Sequence, residues 1–274
     1  MQKSSNKTVE KIINKPEITG KNPRTKRGQN FRKKHPNLCL VSSVIALPLW
    51  ASISLILSQY IIGFGLYFLI GRAALSTPVW TTVANALIYL FALFLTIFVP
   101  IKVFKHWQTS REELGLTDLP TWTDLGLAPV GFLANLVLAY LLLLVFSNFS
   151  FFDAEQSQEL GYEIMTSGFD RVVAFFALCI VAPIAEEVVF RGWLYGKLRA
   201  KLPGKRLSLV LSILITSLTF ALLHGQWNVG VNVFALSLVL CGLREITGTI
   251  YSGILVHIIK NTVAFFLLYI IGMG

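Results

Sequence analysis

The stretch VAPIAEEVVFRGWLYGKL, Val181 to Leu198, sets two adjacent glutamates, and an arginine four residues after the second, into a run otherwise suited to lipid. A charged side chain at the centre of a membrane helix costs roughly 2.5 to 3.5 kcal/mol on insertion scales, so Glu186, Glu187 and Arg191 must face one another or water. Working outward, the rest of the chain supplies the membrane setting. Of 274 residues, 54% are hydrophobic and 14% charged, which excludes an ordinary water-soluble domain. Apolar segments long enough to span recur at Ile45–Ile70, Thr82–Ile101, Leu125–Phe146, Val172–Tyr195, Leu207–His224, Val229–Leu243 and Ile250–Ile271. The pattern predicts an all-α polytopic transmembrane bundle of seven spans, or eight if Ser58 and Gln59 divide the first.

Ahead of the spans lies a polar tail in which eleven Lys or Arg face only Glu10 and Glu17 over the first 36 residues. Its one aromatic is Phe31 and it contains no nucleic-acid-binding motif, so nucleic acid is not an expected partner. The tail reads as a disordered cytoplasmic segment, 1–37, that sets topology and meets anionic lipid. The tail and the apolar run after it are both too long for a cleaved signal peptide, so the tail is expected to stay attached. With the tail inside, Lys102, Lys105, Arg111, Lys197, Arg199, Lys201, Lys205, Arg206 and Arg244 fall on inner loops, and Arg72 and Arg171 on outer ones. The acids Asp153, Glu155, Glu159, Glu163 and Asp170 fall outside, where they translocate easily. The expectation is an integral membrane protein with a cytoplasmic N-terminus, in the plasma membrane if the cell is bacterial.

Two capping boxes stand in the inner loop SREELGLTDLPTWTDLGL, Ser110 with Glu113 and Thr121 with Asp124, and Gly115 marks a stop between them. They predict a short surface helix and then the start of the third span. Cys39, Cys179 and Cys241 show no metal-type spacing and read as packing residues; Cys39, beside the tail, is also a position for acylation.

Other polar residues accompany the opening stretch inside the spans: His224 closes the fifth, and His257, Lys260 and Asn261 stand in the seventh. Glu187 and Arg191 are four apart, acid first, and can pair along one helix face. Glu186 lies about 100° round the helix from Glu187, free to face a cavity. His257 and Asn261 share a stripe; Lys260 sits beside it as a counter-charge for a glutamate. At about 1.5 Å per residue, Glu186 lies roughly 15 Å from the inner loop and His224 roughly 24 Å, so the fifth span must tilt or start lower for His224 to join.

A glutamate facing two histidines and an asparagine in a wet pocket suits activation of water against a carbonyl, with Glu186 as general base and imidazole and amide donors at the oxyanion. The same His224, His257 and Glu186 could instead ligate a divalent metal such as zinc, and the sequence leaves both open.

At these residues the chain resembles the CPBP family, the CAAX prenyl endopeptidase and bacteriocin-processing group of intramembrane proteases related to the Ras-converting enzyme. The family's E-E-x-x-x-R, F-x-x-x-H and H-x-x-x-N/B stand here, in order, as EEVVFR (Glu186–Arg191), FALLH (Phe220–His224) and HIIKN (His257–Asn261). The resemblance covers about residues 170–271 and implies a catalytic four-helix core at 165–272, with 38–150 as accessory spans. It also implies that Glu186, His224, His257 and Asn261 are catalytic, Glu187 and Arg191 supporting, and the substrate a membrane-associated protein or peptide, including a lipidated CAAX-type one. Lys260 departs from the family, which has a small or neutral polar residue there; a cation there can tune Glu186 or pair with Glu187.

The chain contains no H-E-x-x-H, G-x-S-x-G or Gly-x-Gly-Asp, so the site-two, rhomboid and presenilin patterns are missing. Two readings from other classes use the same polar cluster without hydrolysis. One is a bacteriocin-immunity or scaffolding membrane protein, and the other a small transporter whose acids relay protons.

Overall fold

The computed structural model describes residues 36–102, 107–150, 152–153 and 167–271. The described residues from 42 onward belong to one compact unit. The expected disordered tail, Lys105, the acids Glu155, Glu159 and Glu163, and the Cys39 side chain lie outside the described residues.

Every regular element among the described residues is a helix. In chain order these are α1 (Pro36–Ile70), α2 (Arg72–Leu75), α3 (Pro78–Lys102), α4 (Arg111–Leu114), α5 (Trp122–Phe146), α6 (Gly168–Lys201), α7 (Lys205–Leu222), α8 (Trp227–Thr247) and α9 (Tyr251–Ile271). Seven are long and apolar enough to cross a membrane, and they fall on the seven segments read from the sequence. The first does not divide at Ser58–Gln59. Ser58 Oγ donates to the Ser54 carbonyl at 2.6 Å, so its polarity is absorbed within one continuous helix.

Apolar side chains gain little by leaving lipid for one another, so small residues that let backbones approach decide which helices meet. Along α7 the buried positions Ser208, Ser212, Thr216 and Phe220 recur every four residues, a mostly small stripe. A second contact joins α5 to α8 and α9 through Ala128, Leu236, Leu240, Leu243 and Val256. It requires Gly131: a β-carbon there would lie 2.8 Å from Val256 Cγ2 and 2.9 Å from Leu243 Cδ1. Within the apolar windows, 44% of α6 and α8 and 39% of α7 are buried, against 17% of the other four, so α6, α7 and α8 form the centre and α9, which carries HIIKN, packs at its side. Cys179 and Cys241 are buried free thiols in this core, as packing residues would be.

The loop before α5 folds as its caps predict. Ser110 and Glu113 close a capping box on α4, and Gly115 ends that helix in the left-handed region at φ 69°. Thr121 and Asp124 close the box that opens α5, and Asp124 also accepts from Ser252 Oγ at 2.6 Å and Thr249 Oγ1 at 3.1 Å. The buried Lys197 of α6 reaches both Glu113 and the Gln108 carbonyl, and Arg244 of α8 donates to the Glu112 and Glu113 carbonyls at 3.2 Å each. This clasp fixes the lower half of α6, and with it the pitch at which the glutamates enter the bundle.

Candidate active site

Helix α6 is irregular where its charges stand. Two π-helical stretches, Phe176–Val181 and Val188–Leu194, flank the α-helical turn Ala182–Glu187, which carries Pro183 near its start. Such wide turns cluster at functional sites because they re-aim side chains without ending the helix. Here they present adjacent glutamates to different surroundings.

Glu187 points into protein. Its Oε1 accepts from Arg191 Nη1 at 2.8 Å and from His257 Nδ1 at 3.0 Å, and both Glu187 and Arg191 are fully buried. The Arg191 guanidinium lies 4.5 Å from the centroid of the Phe220 ring, whose edge-on neighbours are His224 and His257. Removing one member of this set would leave a buried charge uncompensated.

Glu186 points into space. Its side chain is 13% exposed where that of Glu187 is 0%, and it stands on the wall between two cavities of about 200 Å³ each. Tyr89 of α3 donates to Glu186 Oε1 at 2.7 Å, and His257 Nε2 faces Oε2 at 3.6 Å. Tyr89 and His224 line both cavities with it.

The two imidazoles are held from behind. His257 gives its Nδ1 hydrogen to Glu187, which turns Nε2 toward Glu186 and fits the carboxylate to stabilise the ring when it gains a second proton. His224 follows the end of α7, in the turn before α8, and its Nδ1 lies 2.8 Å from the Phe220 carbonyl. A carbonyl only accepts, so Nδ1 carries the hydrogen and Nε2 keeps a lone pair.

Asn261 donates from Nδ2 to the Leu178 carbonyl of α6 at 2.9 Å, leaving one amide hydrogen, and lines the α9-side cavity with Lys260. Lys260 makes no ion pair among the described residues, lies on the Glu186 side, and leaves Glu187 to Arg191 and His257. Glu186, His224, His257, Lys260 and Asn261 therefore share one cavity, with Glu187 and Arg191 behind it. The depth expected for His224 does not keep it away, because α7 ends at Leu222 and the turn returns the ring toward α6. As metal ligands, Glu186, His224 and His257 have the right donor types, but among the described residues no three His, Cys, Asp or Glu gather closely enough to hold an ion.

Tyr89 escaped the sequence reading. Its signal was Asn85, four residues earlier on the same face of an apolar span.

Comparison with known families bears on this segment directly. Residues 168–263 match the family described as type II CAAX prenyl endopeptidase, Rce1-like. The Rce1-like segment contains EEVVFR, FALLH and HIIKN entire, as the resemblance read from those motifs implies. No curated protein and no solved structure matches the chain. The seven helices long and apolar enough to cross a membrane, together with the Rce1-like segment, point to an integral membrane protein, and residues 168–263 are similar to a family of CAAX prenyl endopeptidases.

Proposed function

We propose that the protein is an endopeptidase that cuts a membrane-associated protein or peptide near a lipidated, CAAX-type C-terminus, with Glu186 as the base that activates water. The observation that carries this reading is the position of Glu186 on the wall between two cavities, one oxygen fixed by Tyr89 and the other facing His257 Nε2.

The chemistry follows from the available hydrogens. Water gives a proton to Glu186 as its oxygen bonds to the scissile carbonyl carbon, and the carbonyl oxygen becomes an oxyanion. The second amide hydrogen of Asn261 and the amine of Lys260, both lining the α9-side cavity, are the donors for that charge. As the carbon–nitrogen bond breaks, the proton passes to the leaving nitrogen from Glu186 directly or through His257 Nε2, where Glu187 stabilises the transient cation. His224 Nε2 accepts from the incoming water and orients it. No step runs through a metal, since these side chains do not gather as a three-ligand set. The basic end of α6 and the start of α7, Lys197 to Arg206, faces the cytoplasm in this reading.

The test is to reconstitute the purified full-length protein in phosphatidylcholine vesicles with a farnesylated CAAX-type peptide and its unlipidated counterpart, and to follow both by mass spectrometry. The expected result is one internal cut, in the farnesylated peptide, at a rate that a metal chelator leaves unchanged. Loss of activity in chelator with recovery in zinc would replace the glutamate-only mechanism. An intact peptide beside a Glu186-dependent proton flux would replace hydrolysis by transport.

A further inference from the structure

The cavity on the α1–α3 side holds groups that water activation does not use. Gln59 of α1 and Asn85 of α3 line it, opposite Glu186 and His224, and the wall between is apolar, with Ile56 and Ile88. Polar side chains within spans are costly and mark pathways and binding sites, and two carboxamides from separate helices open onto this one volume. Each carboxamide carries an acceptor oxygen and two N–H donors, matching both groups of a peptide unit. The α9-side cavity is furnished differently, with the amine of Lys260 beside the imidazole of His257. The α9 side of Glu186 thus joins the Asn261 carboxamide to groups suited to charge, whereas the α1–α3 side offers the carboxamides of Gln59 and Asn85 without an amine.

We propose that the α1–α3 cavity is the subsite for the substrate main chain, which lies extended between α1, α3 and α6 and pairs its N–H and C=O groups with Gln59 and Asn85. The proposal rests on the hydrolytic reading above and deepens it. An extended segment is the occupant because a helix satisfies its own backbone and offers nothing to a carboxamide. An unwound strand in an apolar setting must instead take every partner from the protein. Ile56 and Ile88 then meet side chains of the segment, and the scissile carbonyl is delivered to the carboxylate that Tyr89 holds. Both α1 and α3 lie outside residues 168–263, so the part of the site that grips substrate comes from helices the family match does not cover.

The test separates binding from cleavage. Full-length Glu186→Gln protein in phosphatidylcholine vesicles is titrated with a dye-labelled farnesylated CAAX-type peptide, alone and with Gln59→Leu or Asn85→Leu added. Gln59 is on an exposed face of α1, so its substitution leaves folding intact even if Asn85→Leu does not. Each change is expected to weaken binding about tenfold, the loss of one to two hydrogen bonds. In the Glu186 background KM rises by the same factor while kcat moves less than twofold. Replacing the peptide's backbone amides by esters one at a time should identify a position whose ester weakens binding to the Gln59 protein and has no further effect on Gln59→Leu, which a structural role for Gln59 would not produce. Unchanged affinity and KM in Gln59→Leu overturn the subsite, as does absence of saturable binding. Gln59-dependent binding without any cleavage would leave the subsite standing and remove the hydrolytic reading.

Discussion

Two polar assemblies are built into this apolar bundle and wired in opposite ways. In the clasp around α4 the side chains end on one another: Lys197 on Glu113, Arg199 and Tyr195 on Glu245, Ser252 and Thr249 on Asp124. Around Glu186 the chain stops short. His224, Asn261 and Lys260 line one cavity with Glu186, and among the described residues His224 Nε2, the second Asn261 hydrogen and the Lys260 amine make no hydrogen bond. Closed polarity holds helices in place, whereas open polarity costs stability and is retained for what enters the cavity. The adjacent glutamates differ in the same direction, Glu187 buried with its Oε1 between Arg191 and His257 while its Oε2 takes no hydrogen bond, Glu186 facing space.

Breaking the closed side should register as stability. Glu187→Ala leaves Arg191 buried without its anion and is expected to cost about 3 to 5 kcal/mol, read as a lowered unfolding midpoint in detergent. The double variant Glu187→Leu with Arg191→Met should recover most of that loss and none of the cleavage, since His257 would then lack its acceptor. A double variant as unstable as the single one would contradict the ion-pair account.

Disturbing the open side should register as rate. Tyr89→Phe removes one hydrogen bond to a charged group, about 1.5 to 3 kcal/mol, so kcat should fall roughly ten- to a hundredfold while the unfolding midpoint holds. A drop in stability without a drop in kcat would move Tyr89 to the structural class. The smallest effect belongs to the closed side: Thr249→Val deletes one interhelical bond to Asp124, about 0.6 kcal/mol by analogy with other membrane proteins, and should leave kcat untouched.

What the sequence disclosed divides along the same line. Local wiring was legible: the capping boxes at Ser110 and Thr121 and the Glu187–Arg191 pair each follow from spacing within one helix. The seven spans were legible by length, with ends displaced by a few residues because polar caps extend a helix past its apolar run. Partnerships between distant helices were not. Nothing near Tyr89 says that its hydroxyl meets Glu186, 97 positions later, and Gln59 looked like a break in a span because its cavity is made by other helices. His224 looked too deep on a straight-helix count, and Lys260 had two candidate carboxylates until Glu187 proved occupied.

The central claim is that the Glu186 carboxylate does the chemistry that its neighbours only orient. It is tested most directly by comparing cleavage of the farnesylated peptide by wild-type and Glu186→Gln protein in vesicles, with unfolding midpoint and peptide affinity measured on the same samples. The amide keeps the size of the side chain and its contact with Tyr89 but cannot take a proton from water. The account predicts a loss of about a hundred- to ten-thousandfold in kcat at unchanged midpoint and affinity. Cleavage at the wild-type rate by the glutamine variant would contradict it.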